Sequence, residues 1–315
     1  MVLSTIGPPF YGPVMGIAGV GIAWRIASGL IGVPPLIGEV FVALAFALFI
    51  LISLLFISKV ALRPDSLAEL WNDNRAILFV PMIPTSLLLL SIGARPYDIG
   101  FATLLWQIAT PFNLIFAIVI VGRWLFDDHE LTMVTPAWLF PVVGNGVVPI
   151  AGVPLGFVSV GWAFFSIGFV LWIVTFVLLF IRFVLGEPLA KAARPTVLIL
   201  ISPPATFFIA YLELTSARLD LLSYSMIYFS LFLLAVFLLN GRWVFLASFS
   251  IASWSLTFPM AALTIASLLF YRATSWSVAQ WTAVTLLGLT TIFVISVTVL
   301  GLHATFRNLW RSALI

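Results

Sequence analysis

The sequence predicts an all-α membrane protein, a single transmembrane domain over residues 1–315 with ten helices paired as five helical hairpins. Three observations predict it. Hydrophobic residues make up 63% of the chain and charged residues 8%, where a soluble domain carries about 25% charge. Ten apolar runs are each long enough to cross a bilayer as a helix, and none alternates apolar and polar residues as a barrel strand does. The first run of each successive pair carries a proline: Pro13, Pro84, Pro141, Pro203 and Pro259, at intervals of 71, 57, 62 and 56 residues.

The first pair covers about residues 8–28 and 37–60. Its first helix holds Pro13, with Gly19 and Gly21 as packing glycines that let a neighbour approach closely. Its second is almost wholly Leu, Phe, Ile, Val and Ala through 41–57. The second pair, about 78–94 and 97–125, sets Pro84 beside Thr85, and its second helix holds Gln107 and Pro111, the exception among the plain helices. The third, about 135–154 and 157–183, opens on Thr135-Pro136-Ala137-Trp138-Leu139-Phe140-Pro141 and runs on to Asn145, then turns into the Phe- and Val-rich stretch 169–181. The fourth, about 195–213 and 219–240, contains Ser202-Pro203-Pro204-Ala205-Thr206. The fifth, about 246–271 and 276–303, contains Ser253-Trp254-Ser255-Leu256-Thr257-Phe258-Pro259-Met260.

Proline lacks an N–H, so a proline inside a helix leaves a carbonyl without its partner and favours a kink. Irregular backbone at membrane depth is tolerated only where protein buries it or water reaches it. Helices apolar all round suit lipid contact. These rules sort the chain into five inner, proline-bearing helices and five outer ones, read as an internal repeat. Prolines are common in membrane helices generally; the fixed alternation is what favours the repeat.

The basic residues set an expected orientation. With the N-terminus cytoplasmic, Lys59, Arg63, Arg75, Arg123, Arg182, Lys191, Arg194, Arg242, Arg307 and Arg311 share the cytoplasmic side, against Arg25, Arg95, Arg218 and Arg272 opposite. Both termini are therefore expected in the cytoplasm, with the protein in the cell (inner) membrane. No basic residue precedes Arg25, so a cleaved signal peptide is not expected. Glu39, Asp98, Glu213 and Asp220 fall near helix ends, and no Asp, Glu, His or Lys falls mid-span. Proton-coupled transporters usually keep an ionisable relay there, so its absence argues for passive permeation, although a peripheral carboxylate would still serve a coupled carrier.

Much is excluded. There is no cysteine, His129 and His303 stand far apart, and neither a metal nor a cofactor is expected. No Walker motif, nucleophile elbow or His-Glu-x-x-His occurs, and Gly144-x-Gly146 follows no strand, so no enzyme activity is read. A net charge of +3 implies no nucleic-acid partner. The remaining candidates are neutral. Phe258 precedes Pro259 and shares a helical face with the small residues Ser255 and Ala262, so its ring stands where it would plug a narrow path. Met15, Gly16, Pro84, Thr85, Pro141, Asn145, Pro203, Thr206, Ser255, Pro259 and Ala262 are the candidates for lining that path. Arg25 falls about 25 Å along its helix, near a mouth. It either attracts anions there or snorkels to the interface beside Glu39.

Tyr11-Gly12-Pro13-Val14-Met15-Gly16, Ala23-Trp24-Arg25-Ile26-Ala27-Ser28, the 135–141 and 202–205 motifs and Ser253 to Pro259 resemble, in this order and spacing, the tellurite-resistance/C4-dicarboxylate transporter family of the TehA type, related to plant guard-cell slow anion channels. The resemblance implies a quasi-fivefold array of the five hairpins around a central pore, a homotrimer with one pore per protomer, and small anions as what permeates. It implies that Phe258 occludes the pore. Family substrates include chloride, nitrate, sulfite, malate and tellurite-linked compounds. The expected function is thus a membrane anion channel or channel-like uniporter. The alternative is a proton-coupled secondary transporter of C4-dicarboxylate, sulfite or tellurite-related anions, and a non-transporting scaffold is the third class.

Overall fold

The computed structural model describes residues 5–242, 254 and 256–313. Among them every regular element is helical. Nine helical stretches among the described residues are long and apolar enough to cross a membrane. The first hairpin joins α1 (Gly12–Ile31) to α2 (Pro35–Leu62), and α3 (Asp65–Asn72) is a short helix in the loop that follows. The second joins α4 (Met82–Ala94) to α5 (Ile99–Phe126), and the third α6 (Phe140–Gly152) to α7 (Val158–Leu185). The fourth joins α8 (Ser202–Leu214) to α9 (Leu221–Leu239), and the last α10 (Thr257–Thr274) to α11 (Ser277–Ala313). Ser255 lies outside the described residues, as do all of 243–253.

The first helices of the hairpins form a closed ring. α1 packs on α4, α4 on α6, α6 on α8, α8 on α10, and α10 returns to α1. Each second helix packs on its own partner and leans on the next inner helix round the ring: α2 on α4, α5 on α6, α7 on α8, α9 on α10 and α11 on α1. Burial follows that order. In the four inner spans found, 61–83% of the apolar stretch is buried, against 17–39% in the outer five.

The prolines sit differently from the mid-helix kink the sequence predicts. Pro13, Pro141 and Pro203 are the second residues of α1, α6 and α8, while Pro84 and Pro259 are the third of α4 and α10. The first turn of an α-helix needs no intrahelical N–H donors, so proline costs little there. The turns ahead of them are 3₁₀: Pro8–Tyr11, Ile77–Phe79, Pro136–Leu139 and Lys191–Ile201, with Trp254 and Leu256 in the same conformation before α10. Each inner element therefore changes from 3₁₀ to α at its proline.

Glycine permits the tight ring. A Cβ on Gly19 of α1 would lie 2.7 Å from the Ala261 Cβ of α10, and one on Gly21 would lie 3.0 Å from the Gly38 carbonyl oxygen of α2. The short turns are capped conventionally. Gly32 takes φ 71° after α1. Asp98 accepts from the Phe101 N–H at 3.0 Å, and Asp220 forms a capping box with Ser223. These two carboxylates thus serve helix starts.

Candidate functional site

Two cavities lie on either side of Phe258, and its side chain borders both. The larger is about 230 Å³. Every inner helix contributes to it at helical spacing: Ile22, Arg25 and Ile26 from α1, Leu89 and Ile92 from α4, and Val147 and Ile150 from α6. α8 gives Thr206, Ile209 and Glu213, and α10 gives Ala262, Ile265, Leu269 and Arg272 beyond Phe258. The smaller cavity, about 10 Å³, is bordered by Gly12 and Met15, Met82, Phe140 and Val143, Ile199 and Ser202, and Trp254, Phe258 and Pro259. All five inner elements again contribute, and among the described residues no outer helix reaches either cavity. The two spaces share the ring's interior, with the Phe258 ring, 7% exposed, between them.

The remaining sequence candidates divide. Met15, Thr206, Pro259 and Ala262 border a cavity. Gly16 instead receives Thr257 of α10 where a side chain would be, so it is a packing residue of the α1–α10 contact. Asn145 is fully buried away from the cavities. Its Nδ2 donates to the Pro141 carbonyl at 2.8 Å, and its Oδ1 accepts from Asn113 of α5 at 3.3 Å. Thr85 donates to the Pro81 carbonyl at 2.7 Å and crowds Gly144 of α6. Pro84, Pro141 and Pro203 are buried but border neither cavity. The reason is shared: a polar group on a ring helix has a neighbouring helix on most of its azimuths, and only about a third of each helix faces the axis. The aliphatic wall was not among the sequence candidates, which followed the prolines and the small or polar residues near them. The signal was available in the i, i+4, i+7 series from Phe258 through Ala262 and Ile265.

The open end of the larger cavity is charged. Arg25 does both things the sequence left open. It borders the cavity, and it is held by Glu39, its Nε donating at 2.9 Å and its Nη2 at 2.5 Å to the two carboxylate oxygens. Its Nη1 donates to the Gly93 carbonyl at 2.6 Å, and Tyr97 donates to the same Glu39 while its ring lies 5.3 Å from the guanidinium. The Glu39 hydrogen bond pushes the Tyr97 hydroxyl above the usual phenol range, helped by burial. Arg25 therefore ties α1 to α2 and α4 with its charge matched. Arg95 and Arg272 border the cavity without such a pair among the described residues and act on Glu213 through space. Glu213, the penultimate residue of α8, is half-buried on the cavity wall, so a peripheral carboxylate of the kind the sequence left open faces this cavity. With Arg25 cancelled by Glu39, two arginines oppose one glutamate, an excess of one positive charge.

A closed ring of apolar-walled helices, sheathed by more exposed apolar helices and holding cavities along its axis with arginines at one end, defines a multi-pass helical membrane protein. The family model described as SLAC1, voltage-dependent anion channel, matches residues 5–302. The chain belongs to this family, in agreement with the resemblance drawn from its motifs, and the family's function is anion transport or channel activity. No curated protein sequence matches the chain.

Proposed function

We propose that this chain conducts small anions passively along the axis of the inner ring, with Phe258 as the constriction. The observation that carries the reading is that Phe258 alone among the described residues borders both axial cavities. Arg95 and Arg272 raise the anion concentration at the open mouth. The aliphatic wall that follows offers little in place of water, so the path favours anions that shed water readily. Removing the ring joins the two spaces. Phe258→Ala in planar bilayers should keep a monodisperse protein and raise chloride conductance about tenfold. Well-folded protein with unchanged conductance overturns the assignment.

Glu213 on the cavity wall favours one second reading, proton-coupled transport of a dicarboxylate, sulfite or tellurite-related anion. Flux into liposomes with and without an imposed pH gradient separates the two, since a passive pore shows no uphill movement. We further infer that both termini are cytoplasmic in an inner membrane, from the ten-to-four bias of basic residues, and that three copies assemble, as the resemblance implies. A cysteine placed at Ser66, in a chain that has none, labels only from the cytoplasmic side if the orientation is right. Native mass measurement in detergent reads the copy number.

A further inference from the structure

Hydroxyl groups on the inner helices mostly satisfy themselves. Thr85 donates to the Pro81 carbonyl at 2.7 Å, Ser86 to Met82 at 2.8 Å, Thr257 to Trp254 at 2.7 Å and Thr264 to Met260 at 2.8 Å. Two on α8 and Ser267 on α10 do not, and among the described residues only the α8 pair of these three borders an axial cavity. Ser202 and Thr206 are each 1% exposed, and neither side-chain oxygen has a hydrogen-bond partner among the described residues. A buried hydroxyl without a partner is rare because nothing offsets its lost hydration. These two are four residues apart, hence about 6 Å along one face of α8. They are also divided by the constriction: Ser202 borders the small cavity and Thr206 the large one. The Thr206 methyl is set against α6, where a Cβ on Gly146 would come within 2.9 Å of Cγ2. With the methyl in that staggered position, the hydroxyl occupies another.

We propose that Ser202 and Thr206 are paired anion-coordination steps, each donating its hydroxyl hydrogen to a partly dehydrated monovalent anion, one on either side of Phe258. The proposal rests on the reading that anions pass Phe258. A hydroxyl suits the task because it supplies a donor without a fixed charge, so it replaces a water hydrogen bond without trapping the ion. The pair also gives the path a side. Anions cross along α8, between α6 and α10, while the opposite wall supplied by α1 is apolar beside Phe258.

The test uses the full-length protein carrying Phe258→Ala, with bilayer conductance for chloride, nitrate and thiocyanate. Adding Thr206→Val, which keeps the shape and removes the donor, should lower chloride conductance about tenfold or more, the scale of one hydrogen bond to a charged group. It should shift relative permeability toward thiocyanate, which loses least on dehydration. Ser202→Ala should act in the same direction, and Thr206→Ser should restore chloride conductance. Bromide anomalous scattering from crystals of the protein provides the second readout. A bromide within hydrogen-bond distance of Thr206 Oγ1, lost in Thr206→Val, supports the site even if Phe258→Ala fails to conduct, in which case only the gate reading falls. A conducting Phe258→Ala protein whose conductance and selectivity ignore both substitutions overturns the hydroxyl steps and leaves the gate standing. Neither conductance nor bound bromide overturns both.

Discussion

The inner and outer helices are built from much the same residues and are buried in opposite ways. Outer α2 leaves Leu36, Leu44, Ile50 and Leu54 more than half exposed, whereas inner α8 buries ten of its residues from Ser202 to Tyr211 in succession. The outer exposure is unfavourable in water and costs nothing in lipid, because chain and solvent are equally apolar. Ring closure instead depends on shape: small residues, glycine contacts and a proline at each 3₁₀-to-α change. Hydrophobicity therefore explains where this protein resides, and steric fit explains what surrounds its axis.

The comparison breaks most visibly at two phenylalanines. Phe207 is fully buried among Phe165, Phe169 and Trp172, with ring centroids at 5.6, 5.8 and 5.9 Å. It is core in the strict sense, so Phe207→Ala should cost about 3–5 kcal/mol and reduce folded yield with no gain in conductance. Phe258→Ala, at a ring with cavities on both sides, should do the reverse. Thermal melting and bilayer recording on the same preparations decide it. If both variants behave alike, the axial and core positions are not physically distinct.

A smaller effect separates two glycines. Gly19→Ala forces a methyl to within 2.7 Å of the Ala261 Cβ at the α1–α10 contact and should destabilise the protein by about 1–3 kcal/mol. Gly122 on outer α5 has no atom within 4 Å of an added Cβ. Gly122→Ala should therefore be neutral or stabilising by up to about 1 kcal/mol, since it restricts the unfolded chain. Melting temperatures in detergent check both.

The mouth sharpens the comparison electrostatically. Arg272→Gln removes an unpaired cation from the cavity edge and should lower anion flux about two- to threefold at low ionic strength, with the loss fading above 0.1 M salt as the Debye length falls below about 10 Å. Arg25→Gln strips the partner from Glu39 and should lower the melting temperature with little salt-dependent change in flux. Equal salt dependence for both would mean that pairing with Glu39 does not silence Arg25.

The smallest expected effect belongs to an outer-helix start. Tyr211 donates to Asp220 at 2.5 Å and holds its carboxyl below the usual carboxylate range, with the Ser223 and Leu222 N–H groups adding to the shift. A lowered folded value means that the group stabilises the fold above its unfolded value, about 3.9, and loses that contribution as pH falls through the folded one. Melting temperature should therefore decline at acid pH, and Asp220→Asn should remove that share of the decline. Asp220→Ala should cost about 1 kcal/mol at neutral pH through the lost cap.

The all-α membrane class, the alternation of proline-bearing and plain helices, and Phe258 as the ring to examine follow from residue types and spacing, because lipid demands long apolar helices and proline restricts backbone locally. Ala262 and Thr206 were legible for the same reason, one by sharing a helical face with Phe258 and the other by marking a proline-rich start. Three other matters required the tertiary structure. Which azimuth of each helix faces the axis is set by neighbours distant in sequence, and it sent Asn145 and Thr85 into interhelical contacts while turning Ile209, Ile265 and Leu269 to the cavity. Whether Arg25 is a free charge depended on contact with Glu39 of its own hairpin and with the Gly93 carbonyl of the next one. That Glu213 stands opposite Arg95 and Arg272 depended on closing the ring of α4, α8 and α10. The periodicity of one helix reports which residues share a face. Only packing against the other four decides which face encloses the axial cavity.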